Sequence, residues 1–445
     1  MPSSAARGRP RADVYLLPTV IGGGWGDVAN LADAARTLAA DGHPMFLFRP
    51  RAMRGPVPFP GPFSWPAVRP VRVLRPTGPR AVTLGPAFGL AAAPARPGPL
   101  GRPGPWADAV AAIERRYGPE HTLHVSLEEF ARTYRSSRED YERYREGGVA
   151  RAVADLRRRS EAGRRERALW RTAFRRFRAL DRPNVVRLLP TFRRSAPFAR
   201  EYPEFVQVGP LWPPRSPAPR RRRRAGRPTV VWYASPASAT VLAPAVVRGL
   251  EATGRPAILR IRSPRPVPTP PSPTVSVQTI PVSSARRWRA EFRRADLRIV
   301  TGSRTLLEAI DAGGPFLYFN GVLRASTGRL RAHRPEKLAS LLALYRGIGV
   351  PEAIRRDLAA FARGARVGEI VERAIADRAW RSGFPSAARV RAATPPPLAA
   401  RLRGIVRRFA VGRSYSTAFR VDPSSVSPIQ HGRRRAEAGS RRSHS

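Results

Sequence analysis

Residues 295–320 read Ala-Asp-Leu-Arg-Ile-Val-Thr-Gly-Ser-Arg-Thr-Leu-Leu-Glu-Ala-Ile-Asp-Ala-Gly-Gly-Pro-Phe-Leu-Tyr-Phe-Asn, and they restrict the fold more than any other part of the chain. An apolar strand over Leu297–Val300 enters the short turn Thr301-Gly302-Ser303-Arg304. A helix follows, stopped by Gly313-Gly314-Pro315, and a second apolar strand covers Phe316–Phe319. Strand, turn, helix and strand in this order form the half-unit of a parallel α/β sheet. The turn presents backbone N–H groups and the positive end of a helix dipole at the carboxyl edge of the sheet, where an anion is held best. Within it, Thr305-Leu-Leu-Glu308 also has the spacing of a capping box, with Glu308 reaching back to a cap N–H.

The same alternation opens the chain. Asp13–Leu17 reads as a strand, Val28–Ala40 as an amphipathic helix and Met45–Phe48 as a strand, with Ile21-Gly-Gly-Gly-Trp-Gly-Asp27 as the intervening turn. Weak strand signals at Val71–Leu74 and Ala81–Leu84 lie in a stretch rich in Pro and Gly. Helical periodicity covers Trp106–Tyr117, Leu127–Arg145 and Val149–Leu180, and the last two form a charged arm over about 126–180. A strand follows at Asn184–Leu189. Pro213, Pro214, Pro217, Pro219 and Pro228, with the run Arg220–Arg224, then make a solvated connector. Beyond it the α/β pattern resumes with Thr229–Tyr233, helix Ala237–Ala252, Ala257–Ile261, Val275–Ile280 and helix Ser284–Arg294. Helices are expected at Glu336–Arg346, Glu352–Ala362 and Leu398–Phe409, and the Ser- and Arg-rich tail from Ser414 is expected to be disordered.

The expected architecture is therefore α/β, with two Rossmann-like domains facing across a cleft. Residues 1–212 form the first domain with its helical arm, 213–228 the linker, 229–395 the second domain, and 396–445 a helix and basic tail. The chain of 445 residues is long enough for two domains of ordinary size. It contains no apolar run of the ~18–20 residues that cross a bilayer and no signal-peptide pattern at its start, so a cytoplasmic protein is expected. No cysteine is present, which excludes disulfides and thiolate metal sites, and the six histidines form no ligand pair. Neither a metal nor a cofactor is expected.

The net charge of +49 invites a polyanion partner. Yet the 81 basic residues include one lysine, Lys337, and the charge is spread along the whole chain, as wholesale replacement of Lys by Arg would leave it. No nucleic-acid recognition motif is readable. Nucleic acid is disfavoured as a partner, and peripheral contact with an anionic membrane stays open.

Ala295, Asp296, Gly302, Thr305, Glu308, Ala309, Gly313 and Pro315 resemble the nucleotide-sugar-binding segment of GT-B-fold glycosyltransferases, in the UDP-glycosyltransferase and cell-wall GlcNAc-transferase group. Val208-Gly209-Pro210-Leu211 resembles the end of that family's N-terminal domain. The resemblance implies a nucleotide-sugar donor on the second domain and an acceptor, of a kind not readable here, on the first. It implies that Gly302, Ser303 and Thr305 meet the diphosphate and that Glu308 accepts from the ribose hydroxyls. Ser235 aligns with a Gly-Ser loop near the diphosphate, although Ser235 and Ser238 also suit a helix cap. Gly23, Gly24, Trp25 and Gly26 would line the acceptor side. Asp27 matches the family's general base, or else caps the Val28–Ala40 helix.

Two departures stand out. Val300 occupies the place of a phosphate-contacting His, with Arg304 as a substitute cation, and the downstream Asp-Gln pair is replaced by the neighbourhood of His333, Glu336 and Lys337. The implied activity is an inverting, metal-independent glycosyl transfer. The alternatives are a sugar-nucleotide epimerase, a non-catalytic relative, or a basic protein bound to a polyanion or membrane.

Overall fold

The computed structural model describes residues 10–17, 26–48, 66–71, 74–86, 106–127, 184–201, 205–213, 227–234, 236–263, 266–280, 285–319, 321–323, 330–332 and 335–412. The first sheet contains β1 (Asp13–Leu16), β2 (Met45–Phe48), β3 (Val68–Val71), β4 (Ala81–Pro86), β5 (Thr122–Leu127), β6 (Val185–Pro190) and β7 (Phe205–Val208). The helices between them are α1 (Gly26–Ala39), α2 (Trp106–Tyr117) and α3 (Ala196–Glu201). All its pairings are parallel, in the order β3-β2-β1-β4-β5-β6-β7.

The second sheet contains β8 (Thr229–Tyr233), β9 (Ala257–Arg262), β10 (Val275–Ile280), β11 (Leu297–Val300) and β12 (Phe316–Tyr318), in the order β10-β9-β8-β11-β12, again all parallel. Its helices are α4 (Pro236–Glu251), α5 (Ala285–Arg294) and α6 (Ser303–Ala312). A small antiparallel pair, β13 (Gly321–Leu323) and β14 (Leu330–Ala332), follows. The remaining helices are α7 (Pro335–Gly347), α8 (Glu352–Ala362), α9 (Val367–Ala376), α10 (Arg378–Ser382), α11 (Ala387–Ala393) and α12 (Leu398–Ala410). Both sheets are doubly wound, so each has a switch point where the strand order reverses: between β1 and β4 in the first, and between β8 and β11 in the second.

Parallel strands covered on both faces have to be apolar almost throughout, and every residue of β1 and of β11 is buried. Arg298 is the exception within β11. Its guanidinium donates to the carbonyls of Phe292 (2.6 Å), Arg293 (3.2 Å) and Gly313 (2.8 Å), which end α5 and α6. A buried cation is tolerated because it satisfies carbonyls that helix ends leave without partners.

The helix over 398–410, set apart from both domains in the sequence reading, returns to the first sheet. Leu402, Ile405, Val406 and Phe409 share one core with Val14, Leu16, Leu31 and Val82. Gly209 explains the crossing. Its N–H donates to Pro396 O at 2.8 Å, its carbonyl accepts from Leu398 N at 3.0 Å, and a Cβ there would sit 2.1 Å from Pro395 O.

Several boundaries differ from expectation. β3 lies three residues before Val71–Leu74 and contains Pro70, which an edge strand accepts because one side carries no ladder. Thr122–Leu127, whose last residues were read as the start of the arm, is a central strand. Its polar side chains hide this, since Thr122, His124 and Ser126 are all buried, the first two in hydrogen bonds to Pro119, Asn184, Thr83 and Glu114. The rest of the arm, most of the Pro- and Arg-rich linker and the tail beyond 412 lie outside the described residues. Among the described residues, no helix is long and apolar enough to cross a membrane.

Candidate functional site

The site is built where β8, β9 and β11 end. Thr301, just after β11, donates from its hydroxyl to Tyr233 O at the end of β8 (3.2 Å), tying the two strands together at the switch point. Gly302 then starts α6 with φ −101° and ψ 155° and supplies no side-chain cap. Thr305 folds back instead. Its hydroxyl donates to Gly302 O (2.9 Å) and accepts from Gly302 N (3.2 Å). Thr305 thus caps the Gly302 backbone from one side only, and Glu308 is not engaged in capping it. That φ suits any residue, and among the described residues a Cβ at Gly302 would touch Thr305 Oγ1 alone, at 3.4 Å. Internal packing therefore gives no strong demand for glycine here.

Glu308, freed from capping, is held from two sides. Trp288 Nε1 on α5 donates to its Oε2 at 3.1 Å, and Arg304 Nε donates to its Oε1 at 3.4 Å. Arg304, expected to project toward phosphate, is 6% exposed, and its Nη1 meets Asp33 Oδ2 on α1 as an ion pair, a contact of charges without hydrogen-bond geometry. The other oxygen of Asp33 pairs with Arg36. Burial pushes the Arg304 guanidinium below its ordinary pKa, and the neighbouring Glu308 and Asp311 oppose that shift.

Arg262, at the end of β9, stacks its guanidinium 4.6 Å from the Trp288 ring centroid, and Tyr233 lies 5.9 Å from the same ring. Burial lowers the pKa of Arg262 and raises that of Tyr233. The three strand ends therefore converge on a turn of backbone amides flanked by a carboxylate, two aromatic rings and two cations.

The other expected residues are placed as follows. Asp27 lies in the first turn of α1, which begins at Gly26 rather than at Val28, so Asp27 is inside the helix and not at its cap. Its side chain, and Gly23, Gly24 and Trp25, lie outside the described residues. So do Ser235, His333 and the side chain of Glu336. Lys337 is half-buried in the first turn of α7, and its carbonyl accepts from the Ser340 hydroxyl at 2.9 Å. Asp33, Trp288, Arg262 and Tyr233 were not foreseen. Trp288 carried a readable signal, as an isolated aromatic in the basic helix Ala285–Arg294 with Phe292 four residues on, whereas a single Asp on an amphipathic helix carries none.

No family model matches the sequence, and no curated protein matches it. Among solved structures it is similar to LpCGTa in complex with UDP, at 13% identity over 89% of this chain and 99% of that one, with a TM-score of 0.48. It is also similar to a UDP-glucosyltransferase from Polygonum tinctorium capable of glucosylating indoxyl, at 13% identity over 91% and 99%, TM-score 0.47. A third is CalG4, the calicheamicin glycosyltransferase, at 15% identity over 92% and 100%, TM-score 0.43. All three TM-scores are below 0.5. The two doubly wound parallel sheets stand on the chain's own pairings and are the two Rossmann-like units that the sequence leads one to expect.

Proposed function

We propose that the chain is a glycosyltransferase that moves a sugar from a nucleoside-diphosphate donor to an acceptor bound on its first domain. The observation that carries this reading is Gly302. Neither its backbone angles nor its neighbours call strongly for glycine, yet it begins a helix without a side-chain cap at the switch point of a parallel sheet. A ligand phosphate brought close to the backbone would supply that demand. The diphosphate would sit on the amides of the turn, with Glu308 accepting from the ribose.

Asp27 would take the proton of the acceptor hydroxyl as the bond to the anomeric carbon forms. Attack from the side of α1, opposite a leaving diphosphate stabilised by α6, inverts the anomeric centre and needs no metal for charge stabilisation. The test is calorimetric titration of the full chain with UDP, GDP, dTDP and ADP, followed by their sugar conjugates. Saturable binding of a diphosphate, lost in Gly302→Val, supports the reading. Absence of binding by all four refutes it.

A further inference from the structure

We propose that Asp33, on the first domain, is a positioning residue for the nucleotide site on the second. This inference rests on the donor-site reading above and adds a residue that the turn motif does not contain. Arg36, Asp33, Arg304 and Glu308 form an alternating chain of charges that ends at the Trp288 N–H. The first two belong to α1 and the last three to the second domain. Arg36, one turn along the same helix, fixes Asp33 from its own side. The helix itself is rigid, because Leu31, Ala34, Ala35 and Leu38 are fully buried in the first core.

On its own helix Arg304 is paired with Glu308, one turn on, and across the domains with Asp33. It is buried, and among the described residues the acidic groups facing it are Asp33, Glu308 and, one further turn along α6, Asp311, which is itself engaged by Arg391. A buried guanidinium needs its countercharges to stay where it is. Asp33 thus anchors Arg304, and Arg304 with Trp288 sets the orientation of the Glu308 carboxylate. Separation of the domains would break the Asp33–Arg304 pair and release Glu308, so nucleotide affinity is coupled to domain closure. The same helix carries Asp27 six residues earlier, roughly 9 Å along its axis. One rigid element therefore bears both the candidate base and the anchor of the ribose carboxylate.

The test uses the full chain and whichever of UDP, GDP or ADP binds the unmodified protein, together with its 2′,3′-dideoxy form. Asp33→Asn, nearly isosteric, is expected to weaken the ribonucleotide about tenfold, a loss of one charge-assisted contact. The dideoxy nucleotide should weaken by less than about twofold, because it makes no contact with Glu308. In a Glu308→Gln background, Asp33→Asn should have almost no further effect. Arg304→Lys keeps a charge opposite Asp33 but cannot span both carboxylates. It should give the same ribose-selective loss, which keeps the claim testable if Asp33→Asn does not fold. Unchanged affinity, equal weakening of both nucleotides, or additive effects with Glu308→Gln would overturn the assignment. If the unmodified chain binds none of the nucleotides, the donor-site reading fails first and the role of Asp33 falls with it.

Discussion

Replacing Glu308 by Gln tests both the geometry of the site and its use. The carboxylate now accepts from two donors, Trp288 Nε1 at 3.1 Å and Arg304 Nε at 3.4 Å, one on each oxygen. A glutamine offers one acceptor oxygen and one NH2. Whichever way the amide turns, one N–H of the site faces another N–H. An unsatisfied donor at a site this buried costs about 1–3 kcal/mol. Arg304 keeps Asp33 as a countercharge, so the larger penalty for an uncompensated buried cation does not arise. For a domain of this size the loss corresponds to a drop of roughly 2–12 °C in the unfolding transition of the second domain. Differential scanning calorimetry of the full chain measures it. If Glu308 also accepts from ribose, nucleotide affinity should fall by a further ~1–3 kcal/mol, and that part should vanish with the dideoxy nucleotide. An unchanged transition in Glu308→Gln would show that the two contacts do not hold the carboxylate, and the reasoning from α5 and α6 would fail with it.

Three other outcomes are expected. Gly209→Ala should destabilise the chain by more than ~3 kcal/mol and release α12, because a Cβ would collide with backbone at Pro395 and Pro396; limited proteolysis after residue 395 reads the release. Burial pushes the His124 imidazole down from 6.5 to about 3, with Nε2 beside Glu114 Oε1 at 3.0 Å. The unfolded chain then takes a proton near pH 6.5 that the folded chain refuses. The contribution of this group to stability is complete above pH 6.5 and is lost on acidification by roughly 1.4 kcal/mol per pH unit. Urea titrations of the wild type against His124→Gln between pH 4 and pH 7 measure the difference, and a contribution that grows as the pH falls would mean a charged His124–Glu114 pair instead. Asp27→Asn should slow transfer by ~10²–10⁴ with donor affinity nearly unchanged once an acceptor is in hand, and full activity would remove Asp27 from the chemistry.

The parallel strands were legible where burial on both faces makes a run of apolar residues. Leu297–Val300, Thr229–Tyr233 and Val275–Ile280 fall where the sequence puts them. Thr122–Leu127 was not legible, since burial there is carried by polar side chains that satisfy one another. His124 bonds Thr83 and Glu114, and Asn184 joins the same carboxylate at 3.1 Å. Helix α9 was missed although Val367, Ile370, Val371, Ala374 and Ile375 have helical spacing. At the site, the spacing of Gly302, Thr305 and Glu308 was readable, but the partner of each was not. Thr305 serves Gly302, and Glu308 serves Trp288 and Arg304. Asp33 could not have been found, because its meaning depends on two domains meeting, and local sequence carries no record of that.

The burial of Arg304 also bears on what the net charge of +49 is for. Acidic residues are scarce here, 32 against 81 basic ones, and several of them are spent inside the fold. Asp13 accepts from Tyr117 and from the Thr77 and Gly78 amides, and Asp357 holds Arg373 and the Trp380 N–H. Asp33 and Glu308 cancel Arg36 and Arg304, so this part of the candidate site is close to neutral. A diphosphate would then be held at short range by oriented amides and the α6 dipole, which cost little reorganisation when charge develops on the leaving group. The uncancelled arginines act at longer range, raising the local concentration of anionic ligands and speeding encounter in a way that salt suppresses. On this division of labour, raising ionic strength should slow nucleotide association far more than it speeds dissociation, as stopped-flow measurement would show. A comparable effect on both rates would put an exposed cation back at the phosphate.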